Sequence, residues 1–373
     1  MSSRGEHEES GRAGPDGGPA RELRIGVVLE AFLDWPLDRV LAWLPEAAPE
    51  ITDIEVGAGG YAPHPHCDVA GLLASAPARA AWLDQIARHG LRLDCLNAWG
   101  NPLHPDPDLA RSHDEDLRNA IRLAALLGAD RVVAMAGCPG ATPRAPGGGE
   151  GRAASAAAVR GKAVRGEAVR GEGEAGGGVP HFAAGAWLPY LEGVYERQWE
   201  QSIEPYWSGL AEFAAAEAPG LRVCLELHPG TCAFNVETFR RVAALGPSIG
   251  ANLDPSHFFW MGMDGHRVTE ALGDLVGHAH GKDTVFHADN LALNGLLDRR
   301  WPEPADEMPW TFAIPGRGHD LDWWAGLMRR LAASQAHVVS IEHEDPFTPA
   351  ETGLPEAARL LRAAIDAAAT VPA

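Results

Sequence analysis

The hydrophobic residues of the chain fall into short runs rich in Val, Ile, Leu and Ala, which alternate with longer stretches of helical periodicity. From residue 23 onward this alternation repeats eight times. Short apolar runs predict buried strands of a parallel sheet, and apolar residues that recur every three to four positions predict helices that cover it. The predicted strands are 23–32, 51–60, 91–100, 130–140, 221–230, 248–257, 275–284 and 337–346.

The stretches between these strands carry the helical pattern, most clearly at 107–127, 196–218, 321–334 and 355–369. Eight strand–helix repeats in a chain of 373 residues are typical of a (β/α)₈ barrel with insertions. We therefore predict an α/β protein whose residues 23–370 form a single TIM-barrel domain. A doubly wound sheet is the alternative, but no GxGxxG motif follows the first strand.

Two segments depart from this pattern. Residues 1–22 are polar and Gly-rich with no apolar stretch, which predicts a disordered tail rather than a secretory signal. Residues 139–180 are rich in Gly, Ala and Pro and contain "VRGKA", "VRGEA" and "VRGEG" in tandem. This composition cannot bury a core, so it predicts a flexible insertion after strand four, with a functional lid as the alternative.

The charge and the cysteine pattern narrow the class of protein. The formal net charge is −20, with 51 acidic against 31 basic residues, which argues against a nucleic-acid partner because phosphate contacts need clustered Lys and Arg. The five cysteines are scattered and no CxxC occurs, so reduced thiols and a cytoplasmic location are expected. No apolar run is long enough to span a membrane, so no membrane partner is expected either.

Ionisable residues stand at the ends of the last four predicted strands, where a barrel carries its active site. Three carboxylates that converge there would repel one another unless a cation lay among them. An oxygen-rich donor set suits Mn²⁺, Mg²⁺ or Co²⁺ better than structural Zn²⁺. We predict one divalent ion, with Mn²⁺ first and Mg²⁺, Co²⁺ or Zn²⁺ as alternatives. The candidate ligands are Glu226, Asp254, His280 and Glu342, the last chosen over Glu344, which shares its strand face.

These strand ends lie in motifs that resemble a known family. They read "LELHPGT", "GANLDPSHFFWMGMD", "HAHGKDT", "PGRGHDLDWW" and "SIEHEDPF", and the resemblance covers residues 23–370 outside the insertion. The chain resembles the sugar phosphate isomerase/epimerase family, whose fold is a xylose isomerase-like TIM barrel. The resemblance implies the same four metal ligands, with Glu226 and Glu342 as the acid/base pair and His257 as a contact to substrate hydroxyls.

Other residues in these motifs are candidates for substrate binding. His228 lies two residues beyond Glu226 on the same strand face. Lys282 could bind substrate or form a structural ion pair, and Arg317 could clamp a hydroxyl or phosphate or be solvated. The predicted substrate-binding set is therefore His257, His228, Lys282 and Arg317, whereas a non-catalytic role is favoured for Asn101, His104, His64 and His66.

The predicted function is that of a metal-dependent isomerase or epimerase that removes a proton next to the carbonyl of a keto sugar or sugar derivative. The alternative is a lyase that dehydrates an inosose or cleaves a 3-keto-glycoside at the same site, with His257 or His228 as the extra general acid. The predicted catalytic residues are therefore Glu226, Glu342 and His257. A nuclease is disfavoured because the surface is acidic, and a non-catalytic sugar-binding protein would not need four converging charged groups. The partner is expected to be a small sugar, and a homodimer is compatible with the sequence.

Overall fold

A computed structural model describes residues 23–140, 179–182, 189–297 and 304–370. The predicted tail at 1–22 and nearly all of the predicted insertion at 139–180 lie outside the described residues. The strands are β1 Arg24–Val28, β2 Ile51–Gly60, β3 Arg92–Trp99, β4 Arg131–Met135, β5 Arg222–Glu226, β6 Ile249–Leu253, β7 Val276–Gly281, β8 Asp283–Phe286, β9 Trp310–Ala313 and β10 Val338–Ile341.

Eight of these strands close into a parallel barrel in the order β1-β10-β7-β6-β5-β4-β3-β2. The predicted (β/α)₈ barrel is confirmed, and each of the eight predicted strands coincides with a strand of the barrel. Their Val, Ile and Leu side chains are buried against the surrounding helices, as both faces of a parallel sheet require.

Helices follow the barrel strands and cover the outside of the barrel. The α-helices are α1 Leu37–Ala47, α2 Val69–Ala74, α3 Ala76–Ala87, α4 Pro107–Leu127, α5 Val194–Gln198, α6 Glu204–Glu217, α7 Val236–Ala243, α8 Pro255–Trp260, α9 Gly265–Leu272, α10 Ala288–Asn294, α11 Leu321–Ala332 and α12 Ala350–Thr370. A π-helical turn at Trp199–Ile203 joins α5 to α6. None of the helices that the structure describes is long and apolar enough to cross a membrane.

The lumen of the barrel holds polar side chains as well as apolar ones. His278 and His280 alternate with small residues along β7, so both imidazoles point to the same face. That face is the lumen, because His278 contacts Cys95 of β3 and Ser340 of β10. Buried polar groups are costly unless they are paired, so this lumen concentrates groups that need partners.

The segment between β7 and α11 contains a small hairpin that the eight-repeat pattern did not predict. β8 and β9 pair as an antiparallel hairpin, in which Asp283 lies opposite Ala313 and Phe286 opposite Trp310. The Phe312 ring of this hairpin lies 5.3 Å from the His257 ring. The Lys282 ammonium lies 4.4 Å from the centre of the Phe312 ring. The hairpin therefore forms one wall of the barrel mouth.

Candidate active site

The four candidate ligands meet at the carboxyl ends of four strands that are neighbours in the barrel. Glu226 ends β5, Asp254 follows β6, His280 lies in β7 and Glu342 follows β10. One side-chain donor atom from each residue lies within 4.8 Å of the others. Because parallel strands end on one rim of the barrel, residues that are far apart in sequence converge here.

Asp254 has one oxygen fixed by the backbone and one that faces the group. It caps the N-terminus of α8, where Oδ1 accepts a hydrogen bond of 2.9 Å from the Ser256 N–H and Pro255 occupies the first turn. Oδ2 is buried and accepts no well-aligned hydrogen bond, although the Lys282 ammonium lies 3.0 Å away. A buried carboxylate oxygen without such a bond is what a metal ligand leaves when its ion is taken away.

The local charge also favours a cation. Four carboxylates, those of Glu226, Asp254, Glu342 and Glu344, surround the single ammonium of Lys282. Carboxylates in a buried site repel one another unless positive charge offsets them. The donor set of three carboxylates and one imidazole therefore fits an oxygen-preferring divalent ion.

Glu226 pairs with His257, which the sequence places three residues after Asp254. The His257 Nε2 lies 2.9 Å from Glu226 Oε1, and its Nδ1 is buried without a partner. Burial and the neighbouring Glu342 carboxylate raise the pKa of Glu226 to about 7. Burial lowers the pKa of His257 to about 4, against the attraction of Asp254. Near neutral pH the proton of this pair is therefore carried by Glu226, while His257 is neutral.

Glu342 lies in a more positive environment than Glu226. Its Oε2 lies 2.6 Å from the Lys282 ammonium and 3.2 Å from His280 Nδ1. Burial alone would raise the pKa of Glu342, but Lys282 and His280 hold it well below its ordinary value. The two glutamates of the site are thus held in different protonation states by their surroundings.

Lys282 forms a buried ion-pair network rather than a simple surface pair. Its ammonium lies 2.6 Å from Glu342, 2.7 Å from Glu344 and 3.0 Å from Asp254. Burial opposes its charge, but these carboxylates raise the pKa of Lys282 well above its ordinary value. Asp283, the next residue along the chain, instead binds the loop before α11, where it accepts a hydrogen bond from the Gly318 N–H at 3.0 Å.

His228 lies beside His257 at the rim of the barrel. The two rings are 4.2 Å apart, and Nδ1 of His228 donates to the Pro229 carbonyl oxygen at 2.6 Å. Burial lowers the pKa of His228 to about 4. This histidine lines an open cleft of about 460 Å³, whose other walls include Tyr61, Asn101, His104, Cys138 and Thr231.

Arg317 is placed differently from the other predicted substrate-binding residues. Its guanidinium pairs at 2.8 Å with Glu356 of α12, and both side chains are about half exposed, at 49% and 46%. The contact that the structure gives it is thus a surface ion pair. Its role in binding substrate stays a prediction from the sequence.

Two glutamates near the site, the buried Glu55 and the half-buried Glu30, were missed from the sequence. Glu55 of β2 places Oε2 3.4 Å from His280 Nε2, so it can orient the imidazole whose Nδ1 faces Glu342. Glu30 follows β1, and burial together with Glu55 raises its pKa to about 8. The available signal was a carboxylate inside or directly after an apolar run, as in "ITDIEVG" and "VVLEAF".

The comparisons with known proteins agree with this fold. Residues 173–364, just over half of the chain, match the family described as a xylose isomerase-like TIM barrel. The chain belongs to this family. The predicted family resemblance is thereby confirmed. A curated relative, the uncharacterized protein YfiH of Bacillus subtilis, is 30% identical over 348 residues, which cover 92% of this chain and 99% of YfiH.

Solved structures share the fold at low sequence identity. One is the probable 3-DHS dehydratase AsbF of Bacillus anthracis, with a TM-score of 0.58, 13% identity, and coverage of 91% of this chain and 99% of AsbF. Another is an L-ribulose 3-epimerase, with a TM-score of 0.53, 15% identity, and coverage of 93% and 96%. These two similar structures are thus those of an epimerase and of a probable dehydratase.

Proposed function

We propose that the protein is a metal-dependent isomerase or epimerase that acts on a keto sugar or sugar derivative by proton abstraction next to a carbonyl. The observation that carries the proposal is the pair of glutamates, Glu226 and Glu342, which share one four-donor group yet have opposite electrostatic surroundings. A reaction that removes a proton and returns it at another position needs one carboxylate that is ionised and one group that can carry a proton.

The metal in this proposal is a divalent ion, Mn²⁺ first, held by Glu226, Asp254, His280 and Glu342. When bound, it polarises a carbonyl and an adjacent hydroxyl and so acidifies the C–H bond between them. Three features support the fit of a divalent ion to these four residues. They are the buried Asp254 Oδ2, the excess of carboxylates around Lys282 and the oxygen-rich donor set. The Glu55 carboxylate lies 3.4 Å from His280 Nε2 and favours a proton on that nitrogen, which leaves Nδ1 to face the ion.

The acid/base roles follow from the neighbours of each glutamate. Lys282 keeps Glu342 ionised, so Glu342 is the group that removes the proton. Glu226, whose raised pKa lets it carry a proton near neutral pH beside His257, is the group that returns one on the other side of the substrate. The Phe312 ring covers His257 and Lys282 and limits the access of water to this pair.

The substrate enters the proposal through the cleft beside His228. His228 lines the side of the cleft that adjoins the four-donor group. Tyr61, Asn101 and His104 line the other side of the cleft. Hydroxyl groups of a sugar can bond to His228 and His257, while the lysine ammonium of Lys282 can contact an oxygen that carries partial negative charge.

A lyase is the second candidate, and one feature favours it. Elimination of water or of an aglycone needs a proton donor next to the leaving group, in addition to the base. Glu226, whose pKa is raised to about 7, carries such a proton near neutral pH and could give it to a leaving group. The probable dehydratase AsbF has the same fold, which is compatible with this second candidate.

Incubation of the Mn²⁺-loaded protein with keto sugars, inososes and 3-keto-glycosides in D₂O separates the two candidates. An isomerase or epimerase is supported if deuterium enters the carbon next to the carbonyl and the product otherwise has the same elemental composition as the substrate. Loss of water or of an aglycone supports a lyase. Exchange that persists at the wild-type rate in both Glu226→Gln and Glu342→Gln would contradict the acid/base pair.

A further inference from the structure

A second group of metal-binding side chains lies deeper in the barrel lumen, below the four-donor group. It consists of Glu55 on β2, Cys95 on β3 and His278 on β7, all buried, with one donor atom of each within 4.8 Å of the others. Glu55 and Cys95 are direct partners in the β2–β3 register, so their side chains stand next to each other on one face. His278 reaches the same point from the opposite wall of the lumen.

The distances within this group match those around a tetrahedral zinc ion. His278 Nε2 lies 3.6 Å from Cys95 Sγ and 3.4 Å from Glu55 Oε2. Ordinary Zn–N, Zn–S and Zn–O bond lengths at tetrahedral angles separate nitrogen from sulfur by about 3.6 Å and nitrogen from oxygen by about 3.4 Å. An ion could therefore bind with little movement of these donors.

The hydrogen bonds around the group leave one metal-binding atom of Glu55 and one of His278 directed toward its centre. Glu55 uses Oε1 to accept from Asn97 at 3.0 Å, whereas Oε2 is fully buried and accepts no well-aligned hydrogen bond. The Nδ1 atom of His278 lies 2.9 Å from the Asn252 Oδ1 and donates to it, so Nε2 carries the lone pair that faces the group. Metal-binding histidines are held by this kind of bond at their other nitrogen.

Further oxygens lie close to the same imidazole nitrogen. Asp94 Oδ2, which is buried and also lacks a well-aligned hydrogen bond, lies 3.3 Å from His278 Nε2, and Ser340 Oγ lies 3.2 Å from it. Two carboxylate oxygens that face an imidazole lone pair repel it. A cation between these oxygens and the nitrogen would remove the repulsion.

We propose that Glu55, Cys95 and His278 form a second metal site, and that the site takes Zn²⁺. A thiolate with imidazole and carboxylate is a zinc donor set, whereas the group at the mouth has no sulfur and suits a harder ion. The bond from Cys95 to the ion forms as the thiol proton leaves to solvent, with no change of oxidation state. The site would join β2 and β3 to β7 across the lumen and stabilise the barrel beneath the active site.

Cobalt spectroscopy on the full chain tests this directly. The metal-free protein is loaded with Co²⁺, which gives an intense near-ultraviolet band only where a thiolate is bound. We expect this band in the wild type and in Asp254→Asn, which alters only the site at the mouth. We expect it to be lost in Cys95→Ser and kept in Cys224→Ser, because Cys224 is an equally buried lumen thiol that packs beside Cys95 outside the three-residue group.

Zinc content measured by mass spectrometry after gel filtration gives the second readout. One zinc ion fewer per chain in Cys95→Ser than in Cys224→Ser supports the site. Cobalt bound by the wild type without a thiolate band would overturn it, and this result does not depend on whether a variant folds. A band that survives in Cys95→Ser would also overturn it. Neither result bears on the proposed isomerase, whose ligands contain no cysteine.

Discussion

Lys282 offers the sharpest test of the charge balance at the barrel mouth. Its ammonium is buried and lies within 3.0 Å of Asp254, Glu342 and Glu344, of which the first two are buried and the third is 45% exposed. The substitution Lys282→Met keeps the length of the side chain and its packing on Phe312 but removes the charge. The free energy of unfolding of the metal-free protein should fall by about 3–5 kcal/mol, the usual cost of removing one partner of a buried ion pair.

Bound Mn²⁺ should reduce this loss, because the ion supplies positive charge to the same carboxylates. If the variant binds Mn²⁺ about tenfold more tightly than the wild type, the loss shrinks by about 1.4 kcal/mol at saturation. The assay is urea unfolding with chelator and with saturating Mn²⁺, followed by circular dichroism and tryptophan fluorescence together so that a two-state transition is verified.

The matched control is Arg317→Met, which removes a half-exposed pair with Glu356. Exposed pairs contribute less than about 1 kcal/mol, so this variant should lose little stability, and equally little with and without Mn²⁺. Two results would refute the reasoning for Lys282→Met. One is a loss no larger than that of the control, and the other is a loss that Mn²⁺ leaves unchanged.

Three further outcomes are expected. Glu55→Gln should weaken Mn²⁺ binding by about 10–100-fold in equilibrium dialysis, since it alters the partner that orients His280, and unchanged affinity would argue against that contact. The buried Asp53 carboxylate accepts hydrogen bonds from Arg24 and Arg92 on the two neighbouring strands. Asp53→Asn weakens these bonds, so it should lower the free energy of unfolding by about 1.5–3 kcal/mol without changing the metal content. Gly60→Ala should destabilise by more than about 1 kcal/mol, because φ is +98° and the new Cβ would lie 2.1 Å from the Trp99 carbonyl oxygen; a wild-type melting temperature would contradict this.

The barrel was predictable because each strand carries its own signal. The run "VVSI" of β10 is short, β-branched and apolar, and it lies between two helical stretches, so its type and position follow from local pattern. The strand ends were predictable for the same reason. A carboxylate directly after such a run, as in Glu226 or Glu342, falls on the rim where eight parallel strands end.

The roles of the residues deeper in the lumen, such as His278 and Glu55, were not predictable from the sequence, because they depend on contacts across the lumen. His278 lies two residues before His280 on the same face, but only the closed barrel shows that it meets Cys95 of β3. Glu55 lies mid-strand, where sequence alone cannot distinguish an outward side chain from an inward one. The hairpin of β8 and β9 was missed because its strands are joined by a long connection with weak periodicity.

The measurement that tests the central claim most directly is Mn²⁺ binding to Asp254→Asn by equilibrium dialysis of the metal-free protein. Asp254 is the proposed ligand whose Oδ2 is buried without a well-aligned hydrogen bond, so the amide should weaken binding by at least about 10-fold. The control is Asp53→Asn, a buried aspartate of the same barrel outside the four-donor group. Weak binding in Asp254→Asn with wild-type affinity in the control is the predicted result. Equal affinity in both variants would contradict a metal site at the mouth of the barrel.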